Sequence, residues 1–298
     1  MSAEEAAPIQ VLVVAYRTRA RTLALLDDLA RLGPRVRVRV WDNASGDGSA
    51  EAFAAHGVEV TASPRNLGYA GALAAALPEL EGELLWLLNG DLLLPRAAET
   101  LARLEQALAA DPRAAAVGPA LVDLDGRQPS GGGGAELGLA SAAGHFLGLG
   151  HLGLRAFYLA PRAHRGRPPF EVDWICGAAP LLRLAALRAV GVPRESFLYA
   201  EDLALSRRLR EAGHRVLYHP GAEVVHEGQG SQPRPDGRWV TATLDDYARR
   251  APAPAARVMA SLFAGGLGAR AVVRRLRGER ALAKRLALEA RTALRWRP

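Results

Sequence analysis

VLVVAYRTRARTLALLDDLARLGPRVRVRVWDN, residues 11–43, sets two short apolar stretches around one stretch of helical pattern. VLVVA (11–15) is apolar at every position and rich in branched residues, which suits a strand covered on both faces, as in a parallel sheet. TRARTLALLDDLARLG (18–33) spaces its leucines at helical intervals and closes on Gly33, a fitting C-terminal stop. VRVRVW (36–41) is then a second strand. Strand, helix and strand in succession make a parallel crossover unit.

The pattern continues. SAEAFAAHG (49–57) reads as a helix, VEVTA (58–62) as a strand, YAGALAAALPEL (69–80) as a helix and ELLWLLN (83–89) as a fourth strand. Such alternation predicts an α/β domain with a mostly parallel central sheet flanked by helices. Ligands of such sheets bind at the carboxyl ends of the strands. Polar residues stand there three times: Asp42-Asn43 after the second strand, Arg65-Asn66 beyond the third, and Asn89-Gly90-Asp91 after the fourth.

The remaining organisation is legible in composition. A chain of 298 residues with 49% hydrophobic residues can bury a substantial core in one or two domains. Its one cysteine, Cys176, leaves no internal disulfide framework and fits a reducing compartment. The opening MSAEEAAPIQ is acidic where a secretory signal is basic, so no export signal is expected, and no stretch is expected to cross a bilayer. The expected boundaries are a tail at 1–9, a main domain at 10–250 and a basic helical segment at 251–298. Within the main domain, the Gly/Pro-rich residues 126–170 read as a long mobile excursion. Further on, HRVLYHPGAEVVHEG (214–228) reads as two short strands flanking Pro220-Gly221.

The net charge of +7 is not spread over the chain. Residues 270–298 hold ten basic side chains against Glu279 and Glu289, so the body before them is nearly neutral. A single basic segment without interleaved aromatics offers no nucleic-acid readout. Its apolar residues Val272, Val273, Leu276, Leu282, Leu286 and Leu294 recur among arginines. That pattern fits a helix lying on an anionic membrane surface, packing on the main domain, or joining a homodimer.

Several chemistries lose support at once. GLGHLG (148–153) matches the G-x-G-x-x-G fingerprint, but no strand precedes it, and Pro161 and Pro168 interrupt the residues after it. There is no G-x-x-x-x-G-K-[ST], no H-E-x-x-H and no C-x-x-C pair. The carboxylates stand out instead. Asp42 reads either as the acceptor of an Asx-type turn or as an acceptor for a base or ribose. Asp91 is a helix-start acid or a ligand for a hard cation, with His226 a second candidate ligand. Glu201 and Asp202 are first-turn acids facing a helix dipole, or an acid–base pair whose apolar neighbours Phe197, Leu198 and Tyr199 raise its pKa.

In order, VLVVAYRT, DNASGDGS, NLGYAGA, LLWLLNGD, CGAAPLLR, FLYAEDLALSRRLREAGHRV and VVHEGQGS resemble the successive blocks of family 2 glycosyltransferases, closest to bacterial rhamnosyltransferase-like members. The resemblance covers roughly residues 10–231. It implies a GT-A type fold and inverting transfer from a nucleotide-diphosphate sugar, with dTDP-L-rhamnose the implied donor and a polysaccharide or lipid-linked glycan the acceptor. It further implies that Asp42 contacts the nucleoside and that Arg65 and Asn66 line the nucleotide pocket. Ala15, Tyr16, Gly71, Asn89, Gly90 and Gly177 complete the nucleotide-sugar site. Asp91 and His226 would hold Mg²⁺ or Mn²⁺, and Asp202 would act as general base beside Glu201. The implied location is the cytoplasm, peripheral on the inner face of the cell membrane.

Three positions depart from the family pattern: Arg17 stands where Asn is usual, Asn89 replaces the first acid of D-x-D, and Ala204 replaces a common third acid. Arg17 and Ala204 keep a non-catalytic sugar-nucleotide-binding protein in view. A sugar-phosphate nucleotidyltransferase is the other rival, although AYRTRART has no glycine with which to cradle a triphosphate.

Overall fold

A computed structural model describes residues 8–124, 132–160, 164, 166–195, 197–226 and 237–298. The first four strands are β1 (Ile9–Ala15), β2 (Val36–Asp42), β3 (Glu59–Ala62) and β4 (Leu84–Asn89). They pair in the order β3-β2-β1-β4, all parallel. Residue alternation explains the apolar runs. In β1, Val11, Val13 and Ala15 enter one core and Leu12 and Val14 the other; in β4, Trp86 and Leu88 face the first core and Leu85 and Leu87 the second.

Beyond β4 the sheet becomes mixed. β5 is Leu92–Leu93, β6 Ala114–Val122, β7 Gly133–Gly134, β8 Phe170–Val172, β9 Trp174–Ile175, β10 Leu181–Arg183 and β11 Arg215–His226. β10 lies antiparallel between β4 and β6, β6 is parallel to β11, and β5 and β8 pair antiparallel with β11. The two strands expected around Pro220-Gly221 are one strand. A register shift between His219 and Glu223 absorbs the Pro-Gly pair, and His219 Nδ1 accepts the N–H groups of Gly221 and Ala222 at 3.1 and 3.2 Å.

Helices α1 (Arg19–Ala30) and α4 (Ala97–Ala110) cover the first face. On the other lie α3 (Gly68–Ala76), α6 (Leu184–Val190) and α7 (Glu201–Glu211); α2 (Ser49–Ala55) follows β2. A further core joins α5 (Leu139–Phe146), α8 (Arg238–Ala248), α9 (Ala253–Leu276) and α10 (Arg280–Arg295) to Trp174, Ala200 and Leu203.

Two readings of the sequence change here. The glycine run expected to be a mobile excursion is, across residues 132–160, built into this core: β7 pairs with β9, and Phe157, Ala142 and Leu137 are buried. Glycine serves close approach there rather than freedom, since a Cβ on Gly134 would sit 1.8 Å from the Phe157 carbonyl oxygen. Residues 125–131, which carry the start of that expectation, lie outside the described residues, as does the 227–231 end of the VVHEGQGS block. Secondly, α9 is long and apolar enough by length and composition to cross a membrane, where no stretch was expected to be. Its alanines and glycines dilute the hydropathy that leucine runs would announce. One face of it, with Ala256, Met259, Phe263 and Leu267, is committed to the protein core.

Candidate active site

The site forms at the carboxyl edge of β1, β2 and β4. Ala15 is in register with Asp42, and Val14 with Asn89, so three chain ends stand side by side. Asp42 is buried and accepts hydrogen bonds from the Ser45 hydroxyl at 2.5 Å and the Ser45 N–H at 3.2 Å. That Asx-type turn is real, and it fixes the carboxylate beneath the loop. Ser45 Oγ also accepts the Arg17 N–H at 2.8 Å, tying the loop after β1 to the loop after β2. The Arg17 guanidinium lies 5.1 Å from the centroid of the half-buried Tyr16 ring.

Asn66 is held by Asn43, which the sequence set at a ligand-binding strand end without giving it a role. Asn43 Nδ2 donates to Asn66 Oδ1 at 2.9 Å and to the Gly68 carbonyl at 3.1 Å, and Asn43 Oδ1 accepts the Leu67 N–H at 2.9 Å. Its place directly after Asp42 at a strand end was the available signal. Arg65 is exposed on the same turn, and Gly71 lies within α3, where a side chain would press on Leu67 rather than on the cleft.

Asn89 donates its N–H to the Ala178 carbonyl at 2.9 Å, and Gly90 donates to Val14 at 3.0 Å while accepting from Thr22 Oγ1 at 2.8 Å. Asp91 is next, its Oδ1 3.5 Å from His226 Nε2, because the short β5 pairs with the end of β11. Asp91 and His226, distant in sequence, therefore share one corner. Among the described residues no group of three or more His, Cys, Asp or Glu side chains gathers to hold a metal. One carboxylate and one imidazole suit a cation that takes its other oxygen ligands from substrate and water.

Glu201 and Asp202 open α7 across the cleft. Asp202 accepts the Gly177 N–H at 3.3 Å and the Leu203 N–H at 2.9 Å; Tyr69, on α3, donates to the Gly177 carbonyl at 2.6 Å. Gly177-Ala178 thus joins Asp202 to Asn89. The carboxylates of Glu201, Asp202 and Asp91 all act on Tyr69 and Cys176, whose pKa values are raised first by burial and then by these charges. Burial also pushes Asp202 up to about 6, against the backbone N–H groups of Leu203, Gly177 and Asp202 itself, which favour its charge. Glu201 is pushed to about 8, by burial and then by the Asp202 charge, and its Oε2 is buried with no hydrogen-bond partner among the described residues. The two carboxyls therefore surrender their protons one after the other. At neutral pH the pair therefore holds about one proton between its two carboxyls. Behind them, Asp246 holds Arg207 of α7 at 2.6 Å, and Glu136 pairs with Arg207 at 3.0 Å and with Arg210, which fixes the helix.

The loops carry backbone strain. Among the described residues, the non-glycine positions with positive φ are Arg17, Ala44, Tyr199 and Ala200, and all lie on loops around this cleft. Gly68, at φ +73°, abuts the last of these loops: a Cβ there would lie 1.9 Å from the Phe197 carbonyl oxygen. Gly68→Ala is expected to destabilise the protein by about 1–3 kcal/mol. Because it displaces the loop leading to Asp202, it should also lower turnover in the fraction that remains folded. Thermal unfolding and kinetics of the same sample check both; an unchanged Tm would refute the contact.

A parallel sheet edge lined with polar side chains, an Asp–His corner and a carboxylate pair on a facing helix are arranged on a fold of the GT-A glycosyltransferase type. The family model described as glycosyltransferase-like family 2 matches residues 2–250, and the chain belongs to that family. A relative from Mycobacterium tuberculosis, N-acetylglucosaminyl-diphospho-decaprenol L-rhamnosyltransferase, is 30% identical over 207 residues, 64% of this chain and 66% of the relative, just under two thirds of its length. The fold is shared with a mannosyltransferase of Pyrobaculum calidifontis in complex with GDP-Man and Mn²⁺: TM-score 0.59, 20% identity, 98% of this chain and 81% of that one. It is shared as well with GalNAc-T7 holding UDP, GalNAc and Mn²⁺, at TM-score 0.52 and 15% identity over 80% of this chain and 48% of that one.

Proposed function

We propose that this glycosyltransferase is inverting and divalent-cation dependent, and that it moves L-rhamnose from dTDP-L-rhamnose to a hydroxyl of a polysaccharide or lipid-linked glycan. The observation that carries the reading is the convergence of Asp42, the Asp91–His226 corner and Asp202 on one cleft. The rhamnosyl donor and lipid-linked acceptor rest on the mycobacterial relative, and the cation on the Mn²⁺ complexes of the structural neighbours.

In this reading Asp42 and the Asn43–Asn66 pair hold the nucleoside end of the donor, and Asp91 with His226 hold the cation. When bound, Mg²⁺ or Mn²⁺ neutralises the departing diphosphate. Asp202 takes the proton of the acceptor hydroxyl, whose oxygen forms the new bond to the anomeric carbon. The bond from that carbon to the diphosphate oxygen breaks, and the nucleoside diphosphate leaves with the electron pair. The proton that the pair shares is assigned to Glu201, which keeps a second negative charge away from the base. The protein would work in the cytoplasm at the inner face of the membrane, with the basic C-terminal segment as its membrane contact.

The test is a panel of nucleotide sugars with Mn²⁺, read as nucleoside diphosphate release in the presence of glycan acceptors. The pH profile is a second check. A base with its pKa raised to about 6 is protonated and inactive below that value, so kcat/KM should fall about tenfold per pH unit below about 6 and level off above it. A flat profile from acid to neutral pH would remove Asp202 from that role.

A further inference from the structure

We infer that the GLGHLG turn and the tip of the C-terminal helical hairpin together form one membrane-docking surface for anionic phospholipid. The inference deepens the proposed membrane contact by assigning it residues and a second element.

The turn follows α5. Gly148 and Gly153 take φ of 75° and 76° on either side of a 3-10 helix (Leu149–Leu152), so the motif is a glycine-hinged loop and not a phosphate cradle. It holds Leu147 and Leu152 out to solvent at 74% and 75% exposure, with Leu154 beside them. Leucines in such positions stabilise nothing within the chain.

The same place is bounded by α9. Arg270 Nη2 donates to the His145 carbonyl at 2.7 Å, its Nη1 meets His145 Nε2 at 2.8 Å, and its guanidinium lies 5.2 Å from the centroid of the Phe146 ring. Gly266 packs directly on Phe146. Helical spacing continues the Gly266–Arg270 row to Val273, Arg274 and Arg277, so the exposed Val273 and Arg277 emerge on the side where the leucine turn lies. The hairpin tip adds exposed Val272, Arg275, Leu276, Arg280, Leu282 and Lys284. Glu279 is the one acid of the tip and is paired with Arg274 at 2.8 Å.

Exposed leucines and valines interleaved with arginine match the headgroup boundary of an anionic bilayer, where the apolar groups enter the acyl region and the cations meet phosphate. The excess positive charge disfavours a second copy of the same patch as the occupant. Packed rings connect the base of the turn to the proposed site: Tyr158 lies 5.1 Å from His145 and 5.2 Å from Trp174 between ring centroids, and Trp174 is three residues from Gly177. A lipid-linked acceptor would then be met at the bilayer on which the protein rests.

The test is sedimentation of the full chain with phosphatidylcholine vesicles, with and without phosphatidylglycerol, in the absence of any sugar donor. Binding is expected only with phosphatidylglycerol and should be reversed by high salt. The combined Leu147→Ser, Leu152→Ser and Leu154→Ser variant should bind about tenfold more weakly or worse, as should Arg277→Glu with Arg280→Glu. Both should keep wild-type thermal stability, since these side chains are exposed. Equal binding to neutral vesicles, binding indifferent to the leucine substitutions, or a dimer in solution that those substitutions dissociate would each overturn the inference. Because no donor is present, a failed sugar-transfer assay leaves this result readable.

Discussion

Asp202→Asn is expected to lower kcat by about 10²- to 10⁴-fold while leaving donor KM within a few-fold of wild type. The amide fills the same space beneath Gly177 and can still accept a backbone N–H, so the helix start and the donor side of the cleft should persist. What it cannot do is hold the acceptor's proton. The neighbouring Glu201→Gln substitution gives the contrast. In the proposed assignment Glu201, pushed to about 8 by burial and by the Asp202 charge, carries the pair's proton, so a neutral amide there should retain most of the rate. If the two substitutions had equal effects, the division of labour between these carboxyls would be wrong.

Asp91→Asn carries the second large effect, a loss of about 10²–10³-fold in kcat. Asp91 is buried and has His226 as its neighbour, so the substitution removes the carboxylate of the proposed metal corner and leaves the imidazole there. The distinguishing readout is a Mn²⁺ titration. The concentration giving half-maximal rate should rise markedly in this variant, and chelator should abolish the wild-type activity. A rate loss without a change in the metal requirement would mean that Asp91 shapes the loop and does not bind the cation.

Most of this architecture was legible because both faces of β1 and β4 are covered, and doubly covered strands advertise themselves as unbroken apolar runs. The carboxyl-end loops were legible for a related reason: Asp42, Asn89 and Asp91 interrupt those runs abruptly. Other features had no local signal. The Asp91–His226 corner depends on β5 pairing with the far end of a strand that bends through Pro220-Gly221, a tertiary fact invisible in either segment. Gly132–Gly134 read as part of a mobile excursion because composition cannot separate a glycine chosen for freedom from one chosen for close approach. Tyr69 and Asp246 belong to an ordinary helix pattern, and only packing shows that one braces Gly177 and the other holds the helix bearing Asp202. The basic C-terminal segment was read as one amphipathic stripe. It is instead a hairpin that buries Met259, Phe263 and Ala293 and exposes Leu276, Leu282 and Leu294.

The most direct measurement of the central claim is the NMR spectrum of the product formed from a sugar nucleotide and a glycan acceptor, read at the anomeric centre alongside the released nucleotide. Attack by a hydroxyl deprotonated at Asp202, opposite the departing diphosphate, predicts inverted anomeric configuration and one nucleoside diphosphate per glycosidic bond. Retained configuration, or pyrophosphate in place of the nucleoside diphosphate, would contradict it.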